Sequence, residues 1–316
     1  MNEIKTLRIH CLSTALSPLT HMMGLSGNEQ LINRTKIISG GRVCDVPSLS
    51  GNALRHTMVR APGADFIVDA CNLRGKLTID RANFLYYGGS LTDSAIADNL
   101  NKIAEMQELL PLYRLLGGSL KNQVLAGSLQ VSMGVLVCDE NRETLDKLLP
   151  DELLYGLPEL RSCEDYVSGW QYTRGDAVKK PGLLAPDADT PDKSNLMIYS
   201  GQHVVTGAVF YHDFILQNVS RLEVGAVYAA ISDWKDRGGA VGGQSRIGHG
   251  KLDTVLYCDA DDFFGSAVNL SDYEAEYRDH TRANAERITA WLNDTFPAVR
   301  PLPKKKAADA VQNGDD

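Results

Sequence analysis

No two of the six cysteines (Cys11, Cys44, Cys71, Cys138, Cys163 and Cys258) lie in C-x-x-C spacing. Scattered thiols argue against a zinc module and a disulfide framework and fit a reducing compartment. No apolar run reaches the roughly 18 residues that a membrane-spanning helix needs. The first residues, MNEIKTLRIHCL, alternate apolar and polar and lack the apolar block of a signal peptide. A cytoplasmic location with no membrane partner is therefore expected. The glycines are followed by no G-K-[ST], there is no G-x-S-x-G and no H-E-x-x-H, and the seven histidines do not cluster. A P-loop, a hydrolase elbow and a zincin are thereby set aside. No catalytic residue, metal ligand or cofactor is nominated.

The 316 residues, 43% of them hydrophobic, allow one large domain or two small ones. A formal charge of -8 speaks weakly against a nucleic-acid partner, but the charge is uneven. Residues 31–60 hold Arg34, Lys36, Arg42, Arg55 and Arg60 against Asp45 alone, whereas residues 259–294 hold nine carboxylates against three arginines. Two solvated faces are the plain explanation.

Residues 5–12 alternate as a half-buried strand with Leu7, Ile9 and Cys11 on one face. A Gly-, Asn- and Ser-rich stretch at 17–45 then reads as an unusually long loop, followed by a helix at 50–60. Residues 80–116 read as helical, with a start at Thr92 or Asp93 and a stripe of Ile96, Leu100, Ile103, Met106 and Leu110. Residues 125–137 read as a strand placing Leu129, Val131, Met133, Val135 and Val137 on one side. The polar excursion at 161–201 suggests a protruding hairpin or loop closed by a strand at 203–216. SRLE at 220–223 is a capping box. Its helix buries Val224, Val227, Tyr228, Ile231 and Trp234. A strand at 251–257 follows the glycine loop, and SDYE at 271–274 opens a last helix to about 294. Strands and helices mix without a βαβ rhythm, so the fold class expected is α+β.

Three stretches carry chemistry. In VPSLSGNALRHTMVR, Ser48 or Ser50 can cap the helix, and the same start can seat an anion on free N–H groups. In the loop 238–250, Gln244, Ser245 and Arg246 sit among glycines that allow close backbone approach. Such a loop suits a sugar–phosphate chain, or is a plain connection. On the excursion, Trp170 and Tyr172 accompany Arg174, Lys179 and Lys180, a mix that suits base stacking with backbone contacts, or an anchored loop. His56 and His249 could serve acid–base chemistry but read better as surface or core, and Asp261–Asp262 reads as a solvated turn.

The strand before SPL with its long loop and VPSLSGNALRHTMVR, the LLGGSLKNQVLAGSLQV passage, and GGQSRIGHGKL occur in one order. In that order they resemble the backbone subunit of CRISPR effector complexes, in the RAMP superfamily, over roughly residues 5–257. The resemblance implies a modified ferredoxin-like (RRM-type) palm at 1–60 and 117–300. It also implies a helical insertion at 61–116, a thumb hairpin at about 161–201 and a disordered tail at 301–316. It implies a guide RNA (crRNA) as partner, copies of the chain in a helical filament, other effector subunits, and target DNA or RNA paired to the guide. The residues that would line the RNA are Asn33, Arg34, Lys36, Ser48, Ser50, Gly51, Asn52, Arg55, His56, Arg60, Trp170, Arg174, Lys179, Lys180, Gly243, Gln244, Ser245 and Arg246. Type III members cut target RNA with an aspartate of the first long loop. Asn33 stands at the matching place here, and a shifted register would bring in Glu29 or Asp45. An amide cannot act as that carboxylate does, so a non-cutting, type IV-like scaffold is expected. A target-RNA ribonuclease and a small-molecule enzyme are the alternatives.

Overall fold

The computed structural model describes residues 6–26, 29–89, 100–120, 123–174, 185, 197–258 and 268–297. Its strands are β1 (Thr6–Ala15), β2 (Met22–Ser26), β3 (Glu29–Ile32), β4 (Arg34–Ser39), β5 (Arg42–Leu49), β6 (Gly118–Leu120) and β7 (Gln123–Leu125). They continue with β8 (Leu129–Val131), β9 (Gly134–Leu136), β10 (Val167–Arg174), β11 (Met197–Val204), β12 (Val209–Gln217) and β13 (Leu252–Cys258). The central sheet runs β13-β1-β12-β9-β5-β4, with β8 also on β12, and every pairing in it is antiparallel. Strand, helix, strand, strand, helix, strand follow in chain order as β1, the helical run 51–70, β8/β9, β12, Arg221–Asp236 and β13. Their spatial order is fourth, first, third, second, which is the ferredoxin-like arrangement. The fold class is α+β, as the mixed pattern implied.

The alternation in β1 does what it promised: Leu7, Ile9 and Cys11 are fully buried. They join Phe210, Phe214 and Leu216 of β12 beneath the helices, in one core with Met58, Val59 and Ile231. None of the six cysteines is in a disulfide. Ser220 and Glu223 form the capping box, Val224, Val227, Ile231 and Trp234 are buried, and Tyr228 is half-buried. Among the described residues no helix is long and apolar enough to cross a membrane.

Several expectations are corrected. The stretch 17–45 is not a loop: β2, β3, β4 and the first half of β5 occupy it, and β4 and β5 pair across Gly40 and Gly41. Both glycines have positive φ, the backbone that a two-residue hairpin turn demands. The strand expected at 125–137 is broken at Ser132 and Met133. Val131 pairs with Phe214 and Leu136 with Phe210, so Leu129, Val131 and Leu136 face the helices, while Val135 and Val137 turn to the opposite face. The skipped positions reverse the parity, and Met133 is left 42% exposed. The strand expected at 203–216 is the end of β11, a turn and β12.

The last helix begins not at SDYE but at Asn269, whose side chain accepts from the Asp272 N–H, and it breaks at Asn284 into Leu270–Ala283 and Ala285–Thr295. The boundary expected between 60 and 61 falls inside a continuous helical run, π-helical over Arg55–Arg60. In the expected 80–116 helix, Ile79–Ala82, Asn83–Tyr87, Leu100–Leu109 and Pro111–Leu116 are helical. Thr92, Asp93, Ile96, Asp261, Asp262 and the tail at 301–316 lie outside the described residues.

Candidate nucleic-acid interface

A second sheet, β10-β11-β3-β2, stands beside the central one. Strands β10 and β11 form an antiparallel hairpin with Trp170 opposite Gly201 and Tyr172 opposite Tyr199. Opposite residues share a face, so these aromatics line one side. Trp170 and Tyr172 stack with centroids 4.7 Å apart, and the Trp170 Nε1–H donates to the Gln202 carbonyl at 3.2 Å. Gly201 makes this possible. A Cβ there would stand 2.7 Å from the Trp170 ring and 2.8 Å from the Gln30 carbonyl oxygen. Tyr172 and Tyr199 each keep 39% of their surface exposed.

The glycine loop docks against this face. The Gly243 N–H donates to the Thr20 carbonyl at 2.7 Å and the Gly250 N–H to the Pro18 carbonyl at 2.8 Å. Gln244, at φ +60°, reaches Gln30 across the two elements, Nε2 to Oε1 at 3.0 Å. His249 is the pin: its Nδ1 lies 2.8 Å from the Thr20 hydroxyl and its Nε2 2.8 Å from the Tyr172 hydroxyl. The His203 ring meets it edge-on, with centroids 6.1 Å apart. Burial pushes His249, His203 and His21 below the ordinary imidazole value, and at His203 the neighbouring His249 adds to this. Beyond this anchor, Ser245, Arg246 and Ile247 project into solvent on a 3₁₀ turn. Arg246 has no ion-pair partner among the described residues. The result is an aromatic platform beside a free guanidinium. It suits a partner with flat rings and an anionic chain. Among the described residues, no group of three or more His, Cys, Asp or Glu side chains is placed to hold a metal.

No family model matches the chain. No curated protein matches it either. Among solved structures it is similar to a chain described as "Type IV-B CRISPR Complex". The identity is 18% and the TM-score 0.49, over 80% of this chain and 91% of that one.

The fold brings together Gly243, Gln244, Ser245, Arg246 and Trp170. It engages several of the other predicted contacts within the fold, and these are corrected. Ser50, not Ser48, caps the helix: its hydroxyl accepts from the Ala53 N–H at 3.2 Å. The Ser50 N–H itself donates to His21 Nε2 at 3.1 Å. A Cβ on Gly51 would stand 2.7 Å from the Val131 carbonyl oxygen and 3.2 Å from that of Ser132. Carbonyls face this helix start, which is therefore no open phosphate seat. Ser48 belongs to β5 and bonds Asn33 Nδ2 at 2.9 Å and the Thr35 hydroxyl at 2.8 Å. Asn33 is structural too, since Nδ2 also donates to the Ser48 carbonyl at 3.1 Å.

The arginines are spent within the fold. Arg34 grips both oxygens of Glu164, at 2.6 and 3.2 Å, and the Asp45 carbonyl at 3.0 Å. That contact raises Arg34 and lowers Glu164 from their ordinary values. Lys36 lies 3.5 Å from Asp45. Arg60 is only 6% exposed and donates to the Gly117 carbonyl at 3.0 Å, and Arg55 donates to the Leu116 carbonyl. Both thus satisfy the carbonyl end of Pro111–Leu116, where cations are favoured. Arg60 is thereby buried away from solvent, and Arg55 is half-buried. Asn52 and His56 remain exposed, His56 stacked on Tyr87 at 5.8 Å. Arg174 ends β10 opposite Met197; Lys179 and Lys180 lie outside the described residues.

Sequence reasoning missed Thr20, Gln30, Tyr199, Gly201 and His203. Only Tyr172 and His249 carried any signal, as an aromatic near basic residues and a histidine among glycines.

Proposed function

We propose that this chain binds single-stranded RNA on the β10–β11 hairpin and glycine loop. As copies along a guide RNA, it would form the backbone of a CRISPR ribonucleoprotein. The observation that carries the reading is the Trp170–Tyr172 stack held beside the exposed Arg246 by the Gln244 and His249 contacts. Base–aromatic stacking contributes about 1–3 kcal/mol per base and tolerates any sequence, as a guide-binding scaffold requires. The order of motifs along the chain supplies the CRISPR context. Other effector subunits, a target strand paired to the guide and a cytoplasmic setting belong to the same proposal.

Asn33 supports a scaffold without nuclease activity. Its amide donates to the Ser48 carbonyl, a contact that a carboxylate oxygen would replace with repulsion. The protein purified with its guide should carry RNA. Bound to a fluorescent single-stranded RNA, it should show a steep salt dependence. Trp170→Ala should weaken that binding by about 1–3 kcal/mol. Protein free of nucleic acid, with no affinity for RNA at low salt, would reject the reading. Metal-dependent cleavage of the complementary strand at regular intervals would replace it with the ribonuclease alternative.

A further inference from the structure

The β4–β5 hairpin displays an apolar pair that its own fold leaves bare. Ile38 and Val43 lie opposite one another, 79% and 68% exposed, while their neighbours Ile37 and Cys44 pack on the core. Space is open around the connecting Gly40 and Gly41, since an added Cβ would find no atom beyond its chain neighbours within 4 Å at either. Arg42 flanks the tip, exposed and without an ion-pair partner among the described residues. On a hairpin with one face on the core, the solvent face is ordinarily polar. Two β-branched side chains at the tip mark a contact surface.

A matching depression lies on the far face of the central sheet. There the segment 139–161 packs on Val137 and Tyr211 and encloses a groove of about 450 Å³. Its walls are Leu145, Leu154, Leu157 and Leu160, with Asp146 and Glu159 among the lining residues. The volume lies within the roughly 300–1,000 Å³ of clefts that hold ligands. The charges are complementary: Arg42 is the cation at the tip, and in the groove lining Asp146 and Glu159 outnumber Arg142, which is itself paired with Asp139.

We infer that the β4–β5 tip of one copy seats in the 142–160 groove of a second copy. Ile38 and Val43 cover the leucines, and Arg42 faces Asp146 and Glu159. Apolar contact supplies the attraction, and the charges set the register and suppress wrong partners. The inference rests on the reading that copies of this chain assemble. One hairpin in one groove is part of a larger contact, because specific interfaces bury about 1,200–2,000 Å² in total.

Sedimentation velocity on the full chain, with and without a long single-stranded RNA, tests it. Ile38→Glu and Arg42→Glu should each weaken association of copies at least tenfold. Each should keep wild-type circular dichroism and wild-type affinity for an RNA long enough for one copy. Asp146→Arg with Glu159→Arg should weaken association equally, and mixing that protein with Arg42→Glu should restore it. Association that Ile38→Glu and Arg42→Glu leave unchanged overturns the inference, as does failure of the mixture to recover. Wild type that binds no RNA but self-associates through the hairpin would reject the RNA reading and keep the contact. Wild type that stays monomeric on the long RNA while binding it overturns the contact alone.

Discussion

The helix start at Ser48–Arg60 and the loop at Gly242–Gly250 are built from the same materials: glycine, a hydroxyl residue and arginine. The fold uses them in opposite senses. At the helix start, Gly51 admits the backbone of β8, and Arg55 and Arg60 turn inward to the carbonyls of Leu116 and Gly117. In the loop, glycines admit the backbone of residues 18–20, and Arg246 turns outward. One region holds the molecule together and the other presents a charge. An arginine in a glycine-rich stretch is thus no guide to RNA contact until its partners are known. A buried guanidinium needs acceptors and takes them from helix ends, whereas an exposed one leaves its donors for a ligand.

The contrast is broken most strongly at Arg60. Arg60→Ala should cost about 2–4 kcal/mol, because buried carbonyls lose a charged donor and a cavity opens. A lower urea midpoint with unchanged RNA affinity per folded molecule is the expected result. Unchanged stability with lost affinity would move Arg60 back into the binding surface.

Acid should act next, and on both regions. His212 sits in the core with its Nε2 3.2 Å from the Ser13 hydroxyl, and burial pushes it down to about 3. His21 at the helix start and His203 and His249 at the loop are also lowered by burial. Each binds a proton more readily in the unfolded chain. The stability it contributes is therefore complete above the ordinary value of 6.5 and is lost as pH falls below it, for His212 down to about 3. Urea midpoints should fall steadily from pH 7 to pH 4, and His212→Phe should flatten part of that slope. A midpoint that does not move over this range would contradict the burial of these rings.

The smallest effect on stability belongs to Arg246. Arg246→Ala should change stability by less than about 0.5 kcal/mol, as surface substitutions do. It should weaken RNA binding and lower the salt slope by about one. Loss of stability without change in that slope would place this arginine with Arg60.

Local pattern carried the parts of the fold that depend on neighbours in sequence. The alternation of Leu7, Ile9 and Cys11 and the box of Ser220 and Glu223 are satisfied within one strand or one turn, and both were readable. Of the strands within 17–45, β4 and β5 form a local hairpin that the Gly40–Gly41 turn could have signalled, whereas β2 and β3 were hidden because their pairs are remote or interrupted. Glu29 and Gln30 pair with Ser200 and Gly201, far along the chain, and a bulge separates Met22 from Gly24. The reversed parity at Ser132 and Met133 was hidden for a related reason, since β12 dictates it from the Asp213 N–H bond to the Ser132 hydroxyl. In the candidate site, Gly243–Arg246 and Trp170 were legible as residue types, but their meeting was not.

The sequence by itself determined the α+β class, the first strand, the capped helix at 221–236, the absence of a disulfide framework and a glycine loop with Arg246 at its centre. Tertiary structure alone decided which arginines remain free, which serine caps the helix and which aromatics share a face. Those choices follow from hydrogen bonds and stacking between segments far apart in the chain, such as Tyr172 with His249 and Arg60 with Gly117. Local periodicity cannot encode such bonds, because it reports which side of an element is buried and not what it is buried against.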